Sequence, residues 1–268
     1  MKKLLDAGPS ERGWHRIENI LRCPRLHAYR EIDGREFPTT TPLINGSLLH
    51  IGLAHHYQQM KERQEGGDPD QWLDPADAIE GLARKNGQIW MNAIPLITEA
   101  YFGYRNNWLG ENWKILSVEE ELRAHVGSGK WLYTQRADLI VEDVHQRVWI
   151  VDHKSAYRIN SKTLTQYIMD GQFVGYQMFG RAKYGERFAG VLLNRVKLSP
   201  PFDFDRRALE PAPAALTDFV KVIEEAERRV AQYEGKETRD YPMSLTNQIC
   251  YGKYGKCRAF DLCRFGTN

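Results

Sequence analysis

The chain has 268 residues, 42% hydrophobic and 27% charged, and 37 Lys and Arg against 35 Asp and Glu leave a net charge of +2. That length can bury a substantial core, and the near-balance of charge excludes a histone-like nucleic-acid binder while leaving room for a local basic groove. No apolar run approaches the roughly 20 residues of a membrane helix, and Met1–Asp6 has two lysines with no apolar stretch behind them, which argues against a membrane protein and against a secretory leader. A reducing, cytoplasmic setting is therefore expected.

In chain order, Ile17, Ile20, Leu21 and Leu26 predict a short helix over 15–32, with Pro24 as a candidate boundary. A loop with Asp33-Gly34 and Pro38 follows. A second helix is expected from Asn45, burying Leu48, Leu49, Ile51, Leu53 and Tyr57, until Gly66-Gly67-Asp68-Pro69 breaks it. Residues 75–109 read as helical, with Pro95 as a kink or boundary. Beyond Gly110 the pattern changes to strands over 113–126, 131–142 and 148–154, joined by turns at 127–130 and 143–147, an expected antiparallel meander. Helical spacing returns over 162–184, a strand is expected over 188–197, and a charged amphipathic helix over 212–236. There is no internal repeat. The order predicts one α/β domain over 1–268: a helical N-terminal insertion at about 45–110, a sheet core at about 111–200, and the two chain ends, 1–30 and 245–268.

Four cysteines stand at those ends: Cys23, and Cys250, Cys257 and Cys263 with spacing C-x6-C-x5-C. Two disulfides would allow three connectivities, but a reducing compartment argues against them. Structural zinc sites usually have tight C-x2–4-C knuckles, which are absent here. That leaves a four-thiolate iron–sulfur cluster or four unrelated buried cysteines. The tail interleaves cations with aromatics, and Arg22-Cys23-Pro24-Arg25 is similarly basic. A group held by both ends would close a loop of more than two hundred residues, removing much unfolded-state entropy.

The segment Val148-Trp-Ile-Val-Asp-His-Lys154 carries the clearest chemistry. Residues i and i+2 of a strand share a face, so Asp152 and Lys154 project side by side. If 143–147 closes a hairpin, Asp138 in Arg136-Ala-Asp138 lies across from Asp152 to within a residue. Two carboxylates and an ammonium then converge, and close carboxylates favour a divalent cation such as Mg2+ or Mn2+. The plainer possibility is a solvated strand end with a surface aspartate beside it.

These residues, with others in the same order, resemble the RecB-like branch of the PD-(D/E)xK nucleases, in particular members with an iron–sulfur staple such as AddB-type nuclease domains and CRISPR-adaptation exonucleases. Gly46-Ser-Leu-Leu-His50 is similar to the family's G-x-x-x-H element, Arg136-Ala-Asp138 to its G-x-x-D strand, and Val151-Asp-His-Lys154 to its D/E-x-K strand. Gln172-Phe-Val-Gly-Tyr176 is similar to its Q-x-x-x-Y helix, and Leu21-Arg-Cys-Pro24 with the C-terminal cysteines to its staple. The chain departs from the family pattern at Gln135-Arg136-Ala137, where a glycine is common, and at Asp152, where many relatives carry glutamate. The resemblance implies a restriction-endonuclease-like core, a mixed sheet flanked by helices. It implies Mg2+ or Mn2+ on His50, Asp138, Asp152 and the carbonyl of His153, catalysis by Asp138, Asp152 and Lys154, and a [4Fe-4S] cluster on Cys23, Cys250, Cys257 and Cys263. Gln172 and Tyr176, which share a helix face as i and i+4, would contact the substrate backbone or support the metal site. Adjacent His55 and His56 point about 100° apart on a helix and do not make a metal pair. The Glu119–Glu121 run is expected to be solvated strand surface without a role.

The function expected is a metal-dependent DNA nuclease, an exonuclease on single strands or ends, with Tyr251, Lys253, Tyr254, Lys256 and Arg258 tracking phosphates and stacking bases. The alternative is a non-cleaving DNA-binding module of a recombination complex. The intact Asp138, Asp152 and Lys154 set argues against it. An iron–sulfur redox protein is disfavoured by the lack of a G-x-G-x-x-G element. With no room for a motor in the chain, unwinding would come from a helicase, recombinase or integrase partner.

Overall fold

A computed structural model describes residues 2–127, 129–210, 212–252 and 255–266. The chain divides into two compact units. Met1–Ser10, Thr40–Leu122 and Gln135–Leu216 form the first, and Glu11–Thr39, Arg123–Thr134 and Thr217–Asn268 the second. The elements in chain order are helices α1 (Trp14–Arg22), α2 (Pro24–His27), α3 (Thr41–Glu65), α4 (Pro75–Asn86), α5 (Gln88–Met91) and α6 (Ile94–Asn107), then strands β1 (Lys114–Val126), β2 (Trp131–Glu142) and β3 (Val148–Ala156). There follow α7 (Ser161–Ile168), α8 (Gly171–Tyr184), β4 (Phe188–Lys197), β5 (Asp203–Leu209), α9 (Pro213–Gln232), α10 (Asn247–Cys250), β6 (Tyr251–Gly252), β7 (Gly255–Lys256) and α11 (Phe260–Phe265).

The sheet of the first unit has the order β1-β2-β3-β4-β5. β2 and β3 are antiparallel, β3 and β4 parallel, β4 and β5 antiparallel. A parallel pair needs a crossover, and α7 with α8 supplies it. This is the expected mixed sheet flanked by helices. It exceeds the expected strands by β5, whose Asp203-Phe-Asp-Arg-Arg207 run lacks an apolar alternation.

α3 starts at Thr41 rather than Asn45, because Pro42 falls in the first turn, where its missing N–H costs nothing. The helix ends at Gly66, whose φ of 74° suits glycine. Leu48, Leu49, Leu53 and Tyr57 of α3 form one core with Leu139, Val141, Val151 and Val196 of the sheet. On α8, a Cβ at Gly180 would lie 2.1 Å from the Phe188 ring, so only glycine lets the helix pack this closely. The expected 75–109 helix is three helices, parted at Gly87 (φ 94°) and ahead of Pro95.

In the second unit the expected 15–32 helix breaks at Cys23, which is extended at φ −159° and ψ 107°. The residue before a proline is pushed out of the α region, and Pro24 then opens α2. α9 is shorter than the expected 212–236 and buries Phe219, Ile223, Ala226 and Glu227. Among the described residues, no helix is long and apolar enough to cross a membrane.

Candidate active site

The β2–β3 hairpin closes as predicted, because Asp143 Oδ1 accepts the N–H groups of His145 (2.9 Å) and Arg147 (3.0 Å) and fixes the turn. Leu139 pairs with Val151, and one further step along the ladder brings Asp138 and Asp152 to opposing positions. Asp138 Oδ2 accepts the backbone N–H of His153 at 2.8 Å. The same oxygen lies 3.3 Å from Nδ1 of His50. His50 descends from α3 one turn after Gly46, where a Cβ would already lie 3.4 Å from Ser155 Oγ.

On the same face, Lys154 Nζ donates to Asp152 Oδ1 at 2.9 Å and lies 2.7 Å from Oδ2. It also donates to Gln172 Oε1 at 3.1 Å. Gln172 Nε2 donates to the Tyr176 hydroxyl (3.1 Å), which donates to the Arg136 carbonyl (2.8 Å) and lies 3.3 Å from Asp152 Oδ1. Asp170 caps α8 by accepting the Gln172 N–H at 2.8 Å, an orientation that brings Gln172 to the lysine and Tyr176 to Asp152. Gln172 and Tyr176 thus share a face and hold Lys154 and Asp152.

One participant overturns a sequence expectation. Glu119 is not idle solvated surface: it is half-buried, and His50, Glu119 and Asp138 bring ligand atoms within 4.8 Å of one another. Its φ of 52° lies in the left-handed region that a non-glycine residue rarely occupies, a kink in β1 that no alternation rule would reveal. The only signal in the sequence is a run of three acids on a strand beside Asp138.

The electrostatics follow from crowding. Burial, then Asp138, pushes the Glu119 carboxyl up to about 9. Burial raises Asp152 to about 6, with Lys154 opposing and Asp138 adding. Burial would also raise Asp138, but His50, Lys154 and the His153 N–H outweigh it and hold its carboxyl below the usual value. Lys154 stays an ammonium because Asp152 and Asp138 outweigh its desolvation. Carboxylate oxygens with one imidazole, repelling one another around one point, suit a small divalent cation. Asp152 Oδ2, buried and without an aligned hydrogen bond, fits the same demand.

A stability measurement tests this crowding. Glu119 binds its proton more tightly in the folded protein than in the unfolded chain, whose carboxyl has the ordinary value of 4.5. Its contribution to stability therefore falls as pH rises from about 4.5 to about 9. In EDTA, Glu119→Gln is expected to melt higher than wild type, by a margin that widens across that window. A margin that narrows with rising pH would contradict it.

Asp152 stands outside the three-residue group, bonded instead to Lys154 and close to the Tyr176 hydroxyl. His55 is a structural residue whose Nε2 accepts the Leu5 N–H at 3.0 Å. In the second unit, Cys23, Cys250, Cys257 and Cys263 line one cavity of about 210 Å3 with Leu26, Ile249 and Phe260. All four are free thiols. Burial, then the neighbouring Cys23 and Cys257, raises the thiols of Cys250 and Cys263. Of the expected tail contacts, Tyr251 is exposed, Lys256 is paired with Asp261 at 3.0 Å, and Arg258 is exposed. Lys253 and Tyr254 lie outside the described residues.

Residues 14–264 match the family model of the PD-(D/E)XK nuclease superfamily. A crystal structure from Eubacterium rectale, named "Putative exonuclease", is similar at a TM-score of 0.50 and 12% identity over 96% of this chain and 88% of that one. The crystal structure of SSO0001 shares 15% identity over 67% of this chain and 74% of its own, at a TM-score of 0.33. No curated protein sequence matches the chain.

Proposed function

The chain belongs to the PD-(D/E)XK nuclease superfamily, and on that premise we propose that it is a Mg2+- or Mn2+-dependent deoxyribonuclease acting as an exonuclease on single strands or DNA ends. The observation that carries this reading is the convergence of His50, Glu119 and Asp138 beside a buried Asp152–Lys154 pair. His50, Asp138, Asp152 and the His153 carbonyl would hold the cation, with Glu119 as an added carboxylate. When bound, the ion supplies a water of lowered pKa and polarises the phosphate. Lys154 faces the negative charge that grows on the phosphoryl oxygens as the water adds to phosphorus and the bond to the leaving oxygen breaks. Gln172 and Tyr176 keep its ammonium and the Asp152 carboxylate in place.

Within that superfamily, the order of motifs supports the RecB-like branch with an iron–sulfur staple. The gathering of four free thiols on one cavity fits a [4Fe-4S] cluster on Cys23, Cys250, Cys257 and Cys263. Protein purified without oxygen is then expected to be brown, and colourless protein with stoichiometric zinc would contradict the iron assignment. The family match reaches from residue 14 to residue 264, which supports one nuclease domain over 1–268. We place the protein in the cytoplasm, with a helicase, recombinase or integrase supplying opened DNA.

The test is end-labelled single- and double-stranded DNA incubated with Mn2+ or with EDTA. Loss of label from one end, with Mn2+ only, is the expected result. Tight DNA binding without cleavage by cation-loaded protein would favour the non-cleaving recombination module.

A further inference from the structure

Behind the candidate site lies a buried polar cluster that cation binding and phosphate hydrolysis leave unexplained. Its centre is Arg206 of β5, whose guanidinium sits 3.7 Å from the Trp108 ring and 4.2 Å from the Trp113 ring. It pairs with Glu111 and donates to the hydroxyls of Tyr57 (2.9 Å) and Tyr104 (2.7 Å) and, through Nε, to Asn194 Oδ1 at 3.1 Å. Asn194, fully buried on β4 beside His153 of β3, has its Nδ2 2.6 Å from Nδ1 of His153.

These contacts fix the position of one ring proton. A guanidinium can only donate, so the Asn194 atom facing Arg206 is the carbonyl oxygen, and the amide nitrogen faces the imidazole. That nitrogen donates, so His153 Nδ1 accepts. An imidazole whose Nδ1 accepts carries its one hydrogen on Nε2. The ring is also stacked on Tyr57, centroids 5.7 Å apart and planes 8° from parallel. The residue so clamped lies between Asp152 and Lys154, and its backbone N–H bonds Asp138.

We propose that Arg206 is a positioning residue of the catalytic strand: acting through Asn194, it sets the tautomer and ring position of His153 and thereby holds the His153 N–H on Asp138. The inference deepens the cation-dependent reading and rests on it. A buried ion pair on an edge strand is a poor way to gain stability, since apolar replacements are often as good or better. Outer partners that orient a metal site instead typically cost 10–100-fold in metal affinity or activity when removed.

Asn194→Asp tests this, because it puts an acceptor where Nδ2 donates while keeping the shape and the bond to Arg206. In histidine-15N NMR of the cation-free protein, wild-type His153 is expected as the Nε2–H tautomer and the variant as Nδ1–H. In Mn2+ calorimetry the variant's dissociation constant is expected to rise about tenfold or more, with circular dichroism unchanged. Arg206→Lys, which loses the fork but keeps the charge, is expected to weaken Mn2+ in the same way if Asn194→Asp does not fold. An Nδ1–H tautomer in wild type, or unchanged Mn2+ affinity in a folded variant, overturns the proposal. Wild type that binds Mn2+ with this dependence but cleaves no DNA would count against the nuclease reading and not against the positioning role.

Discussion

Lys154→Ala is expected to lower Mn2+-dependent cleavage by about 100- to 1,000-fold, the range found when one preorganised charge-stabilising donor is lost, while Mn2+ and DNA still bind. The reason lies in how the lysine is held. Its ammonium sits between Asp152 (2.9 Å) and Gln172 (3.1 Å) and is not a general base, because Asp152 and Asp138 raise its pKa. The effect should therefore fall on turnover and not on half-saturating Mn2+. Gln172→Ala removes only the second anchor and should cost less, with Lys154 intact. Loss of DNA binding together with cleavage in Lys154→Ala would show that the lysine serves affinity and not the reacting phosphate.

The largest stability effect is expected in the second unit. Glu227 of α9 is 4% exposed and takes bonds from Arg16 of α1 at 2.6 and 3.0 Å and from Arg12 at 3.2 Å to each oxygen. Glu227→Ala strands Arg16 in a buried site, and breaking a buried pair from one side costs about 3–5 kcal/mol. Chemical denaturation should report that loss, and Glu227→Met with Arg16→Met should recover most of it. Burial would raise the Glu227 carboxyl, but Arg16 and Arg12 outweigh it and hold it below its ordinary value. The pair therefore contributes above about pH 4.5 and is lost as pH falls through the depressed folded value. Below that point wild type and variant should converge. A cost under about 1 kcal/mol at pH 7, the range of exposed pairs, would show that the triad is screened in solution.

How much of this is legible in the sequence differs residue by residue. The β2–β3 hairpin is, because a two-residue period and a turn at Asp143–Arg147 set its register, and with it the opposition of Asp138 and Asp152. Gln172 and Tyr176 are legible as an i, i+4 pair. Their partners are not, because nothing in a helix pattern says which strand it covers. Glu119 reads as surface, since its approach to Asp138 depends on a left-handed backbone turn inside a strand, a conformation glutamate does not signal. Arg206 and Asn194 stay hidden for a different reason. β5 carries charge where a strand pattern calls for apolar residues, and only the fold shows that two tryptophans cover it.

The most direct measurement compares wild type with Asp138→Asn on one end-labelled DNA strand across a Mn2+ titration. Asp138 lies 3.3 Å from His50, accepts the His153 N–H and has Glu119 within 4.8 Å, so the whole cation site depends on it. Cleavage by wild type that rises with Mn2+ and stops in EDTA, with none by a folded Asp138→Asn at any concentration, is the predicted result. Equal cleavage by both proteins, or cleavage by wild type that persists in EDTA, would contradict the assignment of this cluster as the active site.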